Sequence, residues 1–227
     1  MKNWLDKMER RFGRYAIRNL TMYLLAGYAI GYLLSFTMPQ LLTYFTLEPA
    51  LILKGQVWRL LSWVIIPPND NIIFVIFMML LYYSLGNTLE SYWGAFRYNV
   101  YIFSGILFTV IGAFIVNGLI GGITGFGRLY STYYINMSIF LAFAVMYPDM
   151  QVMLYFIIPI KMKWMAIVYA ILTLYEFIVS GWAGRVAIFM SLLNFIIFFF
   201  STRNFKRYSP HEIHRRQQFK SQMRQPR

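Results

Sequence analysis

Residues 47–63 read LEPALILKGQVWRLLSW, and the fold turns on how they are read. Lys54, Gln56, Trp58, Arg59 and Ser62 lie here between two long apolar segments. The polar residues alternate with apolar runs, Leu51–Leu53 and Val57–Ile66, that a loop in water would not need. A loop or short helix sunk partly in a membrane needs them, provided protein groups or its own helical bonds satisfy the backbone.

The rest of the chain is that of a membrane protein. Of its 227 residues, 59% are hydrophobic, 20% aromatic and only 13% charged, against about 25% charged in a soluble domain. Cysteine is absent, which removes disulfides, thiolate nucleophiles and cysteine metal sites. The two histidines, His211 and His214, fall in the polar C-terminal stretch. Their i, i+3 spacing lacks a third ligand, so no metal or other cofactor is expected. No nucleic-acid motif accompanies the net charge of +13. The charge therefore points to the positive-inside rule and to anionic lipids at the basic termini, with no nucleic-acid partner.

Six apolar stretches approach the roughly 20 residues a span requires. They are Leu20–Met38, Ile72–Leu89, Tyr98–Ile120, Tyr130–Tyr147, Trp164–Val179 and Val186–Ser201. The fourth and sixth are short and suit a bundle or a thinned bilayer. Residues 1–19 carry six Lys/Arg, with Trp4, Met8, Phe12 and Tyr15 at helical spacing. They read as a cytoplasmic amphipathic segment on the bilayer surface, and no small-residue cleavage site marks a signal peptide. Residues 20–201 form the membrane domain, and residues 202–227 a basic cytoplasmic tail, expected to be disordered. With both termini cytoplasmic, 17 of the 21 Lys and Arg residues lie inside, the orientation the positive-inside rule selects.

Three segments together resemble the rhomboid superfamily. The first loop matches its signature at Gly55, Gln56, Trp58 and Arg59. The stretch LGNTLESYWGAFRY (residues 85–98) is similar to the family's junction of second and third helices, at Gly86, Leu89, Glu90, Trp93, Gly94 and Arg97. The stretch YPDMQVMLYFIIPIKMKWMAIVY (residues 147–169) resembles the connection from fourth to fifth helix, around Pro148, Pro159, Lys161, Lys163 and Trp164. The resemblance covers residues 20–200 in order. It implies an all-α, six-transmembrane-helix rhomboid-like bundle with a membrane-embedded first loop. It also implies that Arg59 donates to loop carbonyls, that Trp58 anchors the loop at the interface, and that Glu90 and Arg97 can pair across the turn.

The residues that would make it a protease are missing. Active rhomboids are similar to one another in a Gly-x-Ser-Gly serine on the fourth helix and a histidine on the sixth. A serine hydroxyl needs such a base within reach, and the oxyanion needs oriented donors, part of which the family takes from a His and an Asn on the second helix. Aligned on the same landmarks, Tyr133 of STYY falls nearest the nucleophile and Ile188 nearest the base. Phe74 and Met78 fall nearest the oxyanion donors. No Gly-x-Ser-Gly occurs, and no histidine precedes residue 211. Ser131, Ser138, Ser180 and Ser191 have no identifiable base. Glu176, an acid near the end of the fifth helix, is expected to meet water or Arg185. The glycine-rich GGITGFGR (residues 121–128) lacks the Lys-Ser/Thr of a phosphate loop, and Arg128 in it is expected at headgroups.

The expectation is a pseudoprotease that binds transmembrane segments of client proteins, in regulation or quality control of membrane proteins. The alternatives are an unorthodox rhomboid-family intramembrane serine protease and a small transporter subunit. The second would usually show intramembrane charges or broken helices in matching halves. The basic ends and the lack of a targeting signal give the expectation of a multi-pass protein of a bacterial plasma membrane.

Overall fold

The computed structural model describes residues 4–67, 72–121, 125, 127, 130, 132–154 and 158–202. Helix dominates because a long apolar run satisfies its backbone in lipid only by its own i, i+4 bonds. Ten α-helices are described: α1 (Trp4–Phe12), α2 (Leu20–Thr37), α3 (Pro39–Leu42), α4 (Pro49–Ile52), α5 (Arg59–Ser62), α6 (Ile72–Trp93), α7 (Ala95–Ile120), α8 (Tyr133–Met146), α9 (Met162–Val179) and α10 (Trp182–Thr202). By internal contacts the chain divides into Met1–Phe195 and Ile196–Arg227. Of the second unit, residues 196–202 are described and are helical.

Five helices, α2, α6, α7, α9 and α10, are long and apolar enough to cross a membrane. The fourth expected span is shorter: α8 has 14 residues. That is about 21 Å of helix at 1.5 Å per residue, against a hydrocarbon core of roughly 30 Å. A two-stranded hairpin absent from the sequence reading follows it. Strands β1 (Gln151–Leu154) and β2 (Ile158–Lys161) are antiparallel, with Gln151 opposite Lys161 and Leu154 opposite Ile158. The ammonium of Lys163 donates to Asp149 at 2.9 Å beside it.

The junction of α6 and α7 is a single residue, tighter than expected. Gly94 has φ 84° and ψ 152°, a region nearly closed to residues with a Cβ. Arg97 pairs not with Glu90 but with Glu9 of α1, at 2.8 Å. Glu90 accepts instead from the backbone N–H of Asn19, at 2.7 Å. The reason is geometric: α1 packs on α7 with Leu5 buried, which brings Glu9 to Arg97. One helix turn away, Gly86 lets α2 and α7 converge on α6. A methyl group there would overlap Thr21 Oγ1 and lie 2.8 Å from the hydroxyl of Tyr98, where Thr21 and Tyr98 share a hydrogen bond of 2.8 Å.

The first loop is compact. Leu47, Glu48, Arg59 and Trp63 are all buried. A 3-10 turn, Trp63–Ile65, packs against α2 so closely that a methyl on Gly31 would overlap the carbonyl oxygen of Ile65.

Candidate functional site

Within the first loop, Arg59 is the centre of a polar network. Its guanidinium donates to the carbonyls of Thr43 (2.8 Å) and Thr46 (2.9 Å), to Thr46 Oγ1 (3.1 Å) and to Gln56 Oε1 (2.7 Å). Burial lowers its pKa, opposed by the neighbouring carboxylate of Glu48. Trp58 is half exposed, and its indole N–H reaches the carbonyl of Tyr44 at 3.2 Å. Gly55 turns the chain at φ 101°. The sequence reading missed Glu48, which ties this loop to the glycine-rich segment. Its Oε1 accepts from the N–H groups of Gly125 (3.1 Å) and Gly127 (2.9 Å). A methyl on Gly127 would sit 2.8 Å from that oxygen. The signal was an acid next to Pro49 upstream of a glycine-rich run. All of this is architecture: the charges hold backbone.

The chemistry-sized space lies elsewhere, between α6, α8 and α9, as a cavity of 580 Å³. Phe74 and Met78 line it from α6, and Tyr133, Asn136 and Phe140 form one face of α8 toward it. Trp164, Val168 and Tyr169 close it from α9. The three residues aligned with nucleophile and oxyanion positions, Tyr133, Phe74 and Met78, thus meet at one cavity. Ile188 does not join them: it is fully buried in α10 and lines no part of that space.

The floor of the cavity holds the polar group that sequence did not single out. Asn136 is 4% exposed, and its Oδ1 accepts from the hydroxyl of buried Tyr28 at 3.2 Å. Its Nδ2 has no hydrogen-bond partner among the described residues. A buried amide without a partner costs free energy, which a ligand carbonyl entering the cavity would recover. Among the described residues, the ionisable groups that line the cavity are phenols, Tyr82, Tyr133 and Tyr169.

Among the described residues, no serine lines this cavity. Ser138 donates to the carbonyl of Ile135 at 2.8 Å, and Ser191 is buried in α10. Ser131 lies outside the described residues, as do Arg128, His211 and His214. Arg185 donates to the carbonyls of Phe177 (3.1 Å) and Ile178 (2.9 Å) at the end of α9. Those bonds cap the helix where a pairing with the exposed Glu176 was one expectation.

A family model described as "Eukaryotic integral membrane protein (DUF1751)" matches residues 18–220. No curated protein and no solved structure matches the chain. The eukaryotic description overturns the expectation of a bacterial membrane. That expectation rested on basic ends and a missing targeting signal, and the positive-inside rule gives such ends to multi-pass proteins of any membrane.

Proposed function

The chain belongs to this family of eukaryotic integral membrane proteins, and we propose that it is a rhomboid-like pseudoprotease that binds transmembrane segments of other membrane proteins. The observation that carries this reading is the cavity between α6, α8 and α9, largely apolar in its walls and lined by Asn136, whose amide Nδ2 has no partner among the described residues. Such a space accepts a side chain or a loosened turn of a helix entering from lipid. Among the described residues its lining holds no histidine, serine or carboxylate. Tyr133, Phe74 and Met78 stand where the resemblance would put nucleophile and oxyanion donors, and Ile188 where it would put the base. A serine without a base within reach does not attack an amide. In this reading the first loop, lodged sideways in the membrane, braces a six-span bundle, and its network at Arg59 and Glu48 sets the scaffold.

The test has two arms. The purified protein is expected neither to label with a serine-directed fluorophosphonate nor to cut a rhomboid-type transmembrane substrate. Cutting that a single Ser→Ala change abolishes would refute the reading. A photo-crosslinking residue at Val168, in the cavity wall, is expected to join the transmembrane segment of a partner, mapped by peptide sequencing. The same residue at Ile115, exposed on α7, is expected to give no such product. Ile188→His is expected to restore no activity, because nucleophile and base act as a unit.

A further inference from the structure

A second cavity, of 370 Å³, lies between the N-terminal segment and α7, separate from the site above. Phe12 and Tyr15 wall it on one side, and Val100, Phe103 and Leu107 on the other. Its walls are mostly apolar, and arginines adjoin its lining residues Phe12, Tyr15 and Ile17 in sequence, Arg14 also donating to the hydroxyl of Tyr15. The guanidinium of Arg11 sits 5.5 Å from the ring of Phe12, and that of Arg14 sits 4.7 Å from the ring of Tyr15. Arg18 follows Ile17, which also lines the space, and all three arginines are exposed. Residues 4–19 hold five basic residues against Asp6 and Glu9, and Glu9 is already engaged by Arg97.

Two further observations give the groove a direction and a polar anchor. Phe96, Val100, Phe103 and Leu107 form one stripe of α7, at i, i+4, i+7 and i+11. Eleven residues of helix rise about 16 Å, close to the depth of one leaflet, about half of a 30 Å hydrocarbon core. Asn99, 5% exposed, lies in the wall at the basic end. Its Nδ2 donates to the carbonyls of Ile17 (2.7 Å) and Ala95 (2.6 Å), while its Oδ1 has no partner among the described residues.

We propose that this groove binds one anionic glycerophospholipid whose headgroup carries an amine or hydroxyl donor. The phosphate lies at Arg11, Arg14 and Arg18. One acyl chain descends the Val100, Phe103 and Leu107 stripe. The headgroup donor meets Asn99 Oδ1. Charge complementarity selects the anionic headgroup: a zwitterionic lipid offers the arginines no net charge. Burial of the chain adds the apolar term. The amphipathic segment then acts as one wall of a lipid site rather than only as a float on the surface.

The experiment uses the full chain, purified in detergent and delipidated. Dioleoyl phosphatidylserine, phosphatidic acid, phosphatidylcholine and the chainless glycerophosphoserine are titrated in turn. Single adducts are counted by native mass spectrometry, alongside thermal unfolding. The expected result is a 1:1 phosphatidylserine adduct at least tenfold tighter than that of phosphatidylcholine, weaker binding of phosphatidic acid, and none of glycerophosphoserine. Changing Arg11, Arg14 and Arg18 together to Gln should lower phosphatidylserine affinity at least tenfold and leave phosphatidylcholine unchanged. These side chains are exposed, so the variant's unfolding temperature without lipid should match wild type. Val100→Trp, which fills the groove and keeps the charges, should also lose the adduct. Equal affinity for phosphatidylserine and phosphatidylcholine would overturn the proposal, as would an adduct that survives both variants. Full competition by glycerophosphoserine would overturn the role of the acyl chain, and phosphatidic acid binding as tightly as phosphatidylserine would overturn that of Asn99.

Discussion

At Arg59 one side chain, 3% exposed, gives four donor contacts to Thr43, Thr46 and Gln56. A planar fork of five N–H groups fits several acceptors at fixed angles. Removal takes the guanidinium from two loop carbonyls: that of Thr43 keeps the hydroxyl of Thr46 as a donor, and that of the part-buried Thr46 loses its side-chain donor. Hydrogen bonds to charged groups are worth about 1.5–3 kcal/mol each. Arg59→Ala is therefore expected to cost several kcal/mol and to lower the unfolding temperature in detergent markedly. Arg59→Lys should recover only part of the loss, because an ammonium cannot reproduce the fork. An unchanged melting curve for Arg59→Ala would mean that these contacts contribute nothing net. Glu48 complements the arginine. It is a carboxylate whose Oε1 holds two glycine N–H groups and whose Oε2 has no hydrogen-bond partner among the described residues. The hydrogen bonds of Glu48 to Gly125 and Gly127 tie the segment before α6 to the segment before α8.

Elements meet through residues chosen for what they lack. Gly94 joins α6 to α7 at φ 84° and ψ 152°, and strain of this kind costs about 1–3 kcal/mol in a residue with a Cβ. Gly94→Ala should therefore lower stability by that order, read as a fall in unfolding temperature with the helical content retained. A substitution without effect would show that the joint relaxes at no cost. The five long helices were legible in the sequence because length and apolarity alone mark them. The hairpin was not: residues 151–161 are mostly apolar and carry Pro159, so no alternation announces strands. The ends of α8 were misjudged by three residues at Tyr130, because Thr132 and Tyr133 differ little from their neighbours in hydropathy. Of the cavity, Phe74, Met78 and Tyr133 were found by counting from glycine and proline landmarks. Asn136 and Tyr28 were not, since a 3.2 Å contact across 108 residues leaves no local signal. The same holds for Glu9, which meets Arg97 across 88 residues.

For the whole molecule the open number is how many helices cross the bilayer. Helix α8 is about 9 Å shorter than the hydrocarbon core at 1.5 Å per residue, so its length alone argues for five crossings. Charge argues for six. If α8 turned back, Lys161, Lys163 and the eight basic residues of the tail would lie opposite the N-terminal segment. The positive-inside rule disfavours that split. A short helix is accommodated by local thinning or by neighbours that shield its ends, at a fraction of a kcal/mol per Å of mismatch. Translocating ten basic residues has no comparable remedy. The Lys163–Asp149 pair that flanks the hairpin after α8 is solvent-accessible and belongs at a water interface rather than in lipid. Six crossings are therefore expected, with α8 in a thinned patch. Reporter fusions at residue 45 and at the C-terminus decide it. With six crossings the first loop and the C-terminus lie on opposite sides, and the two fusions report opposite compartments. With five they report the same one, and the bundle would then have to hold α8 as a re-entrant element shielded from lipid by α6, α7 and α9, the helices that pack against it.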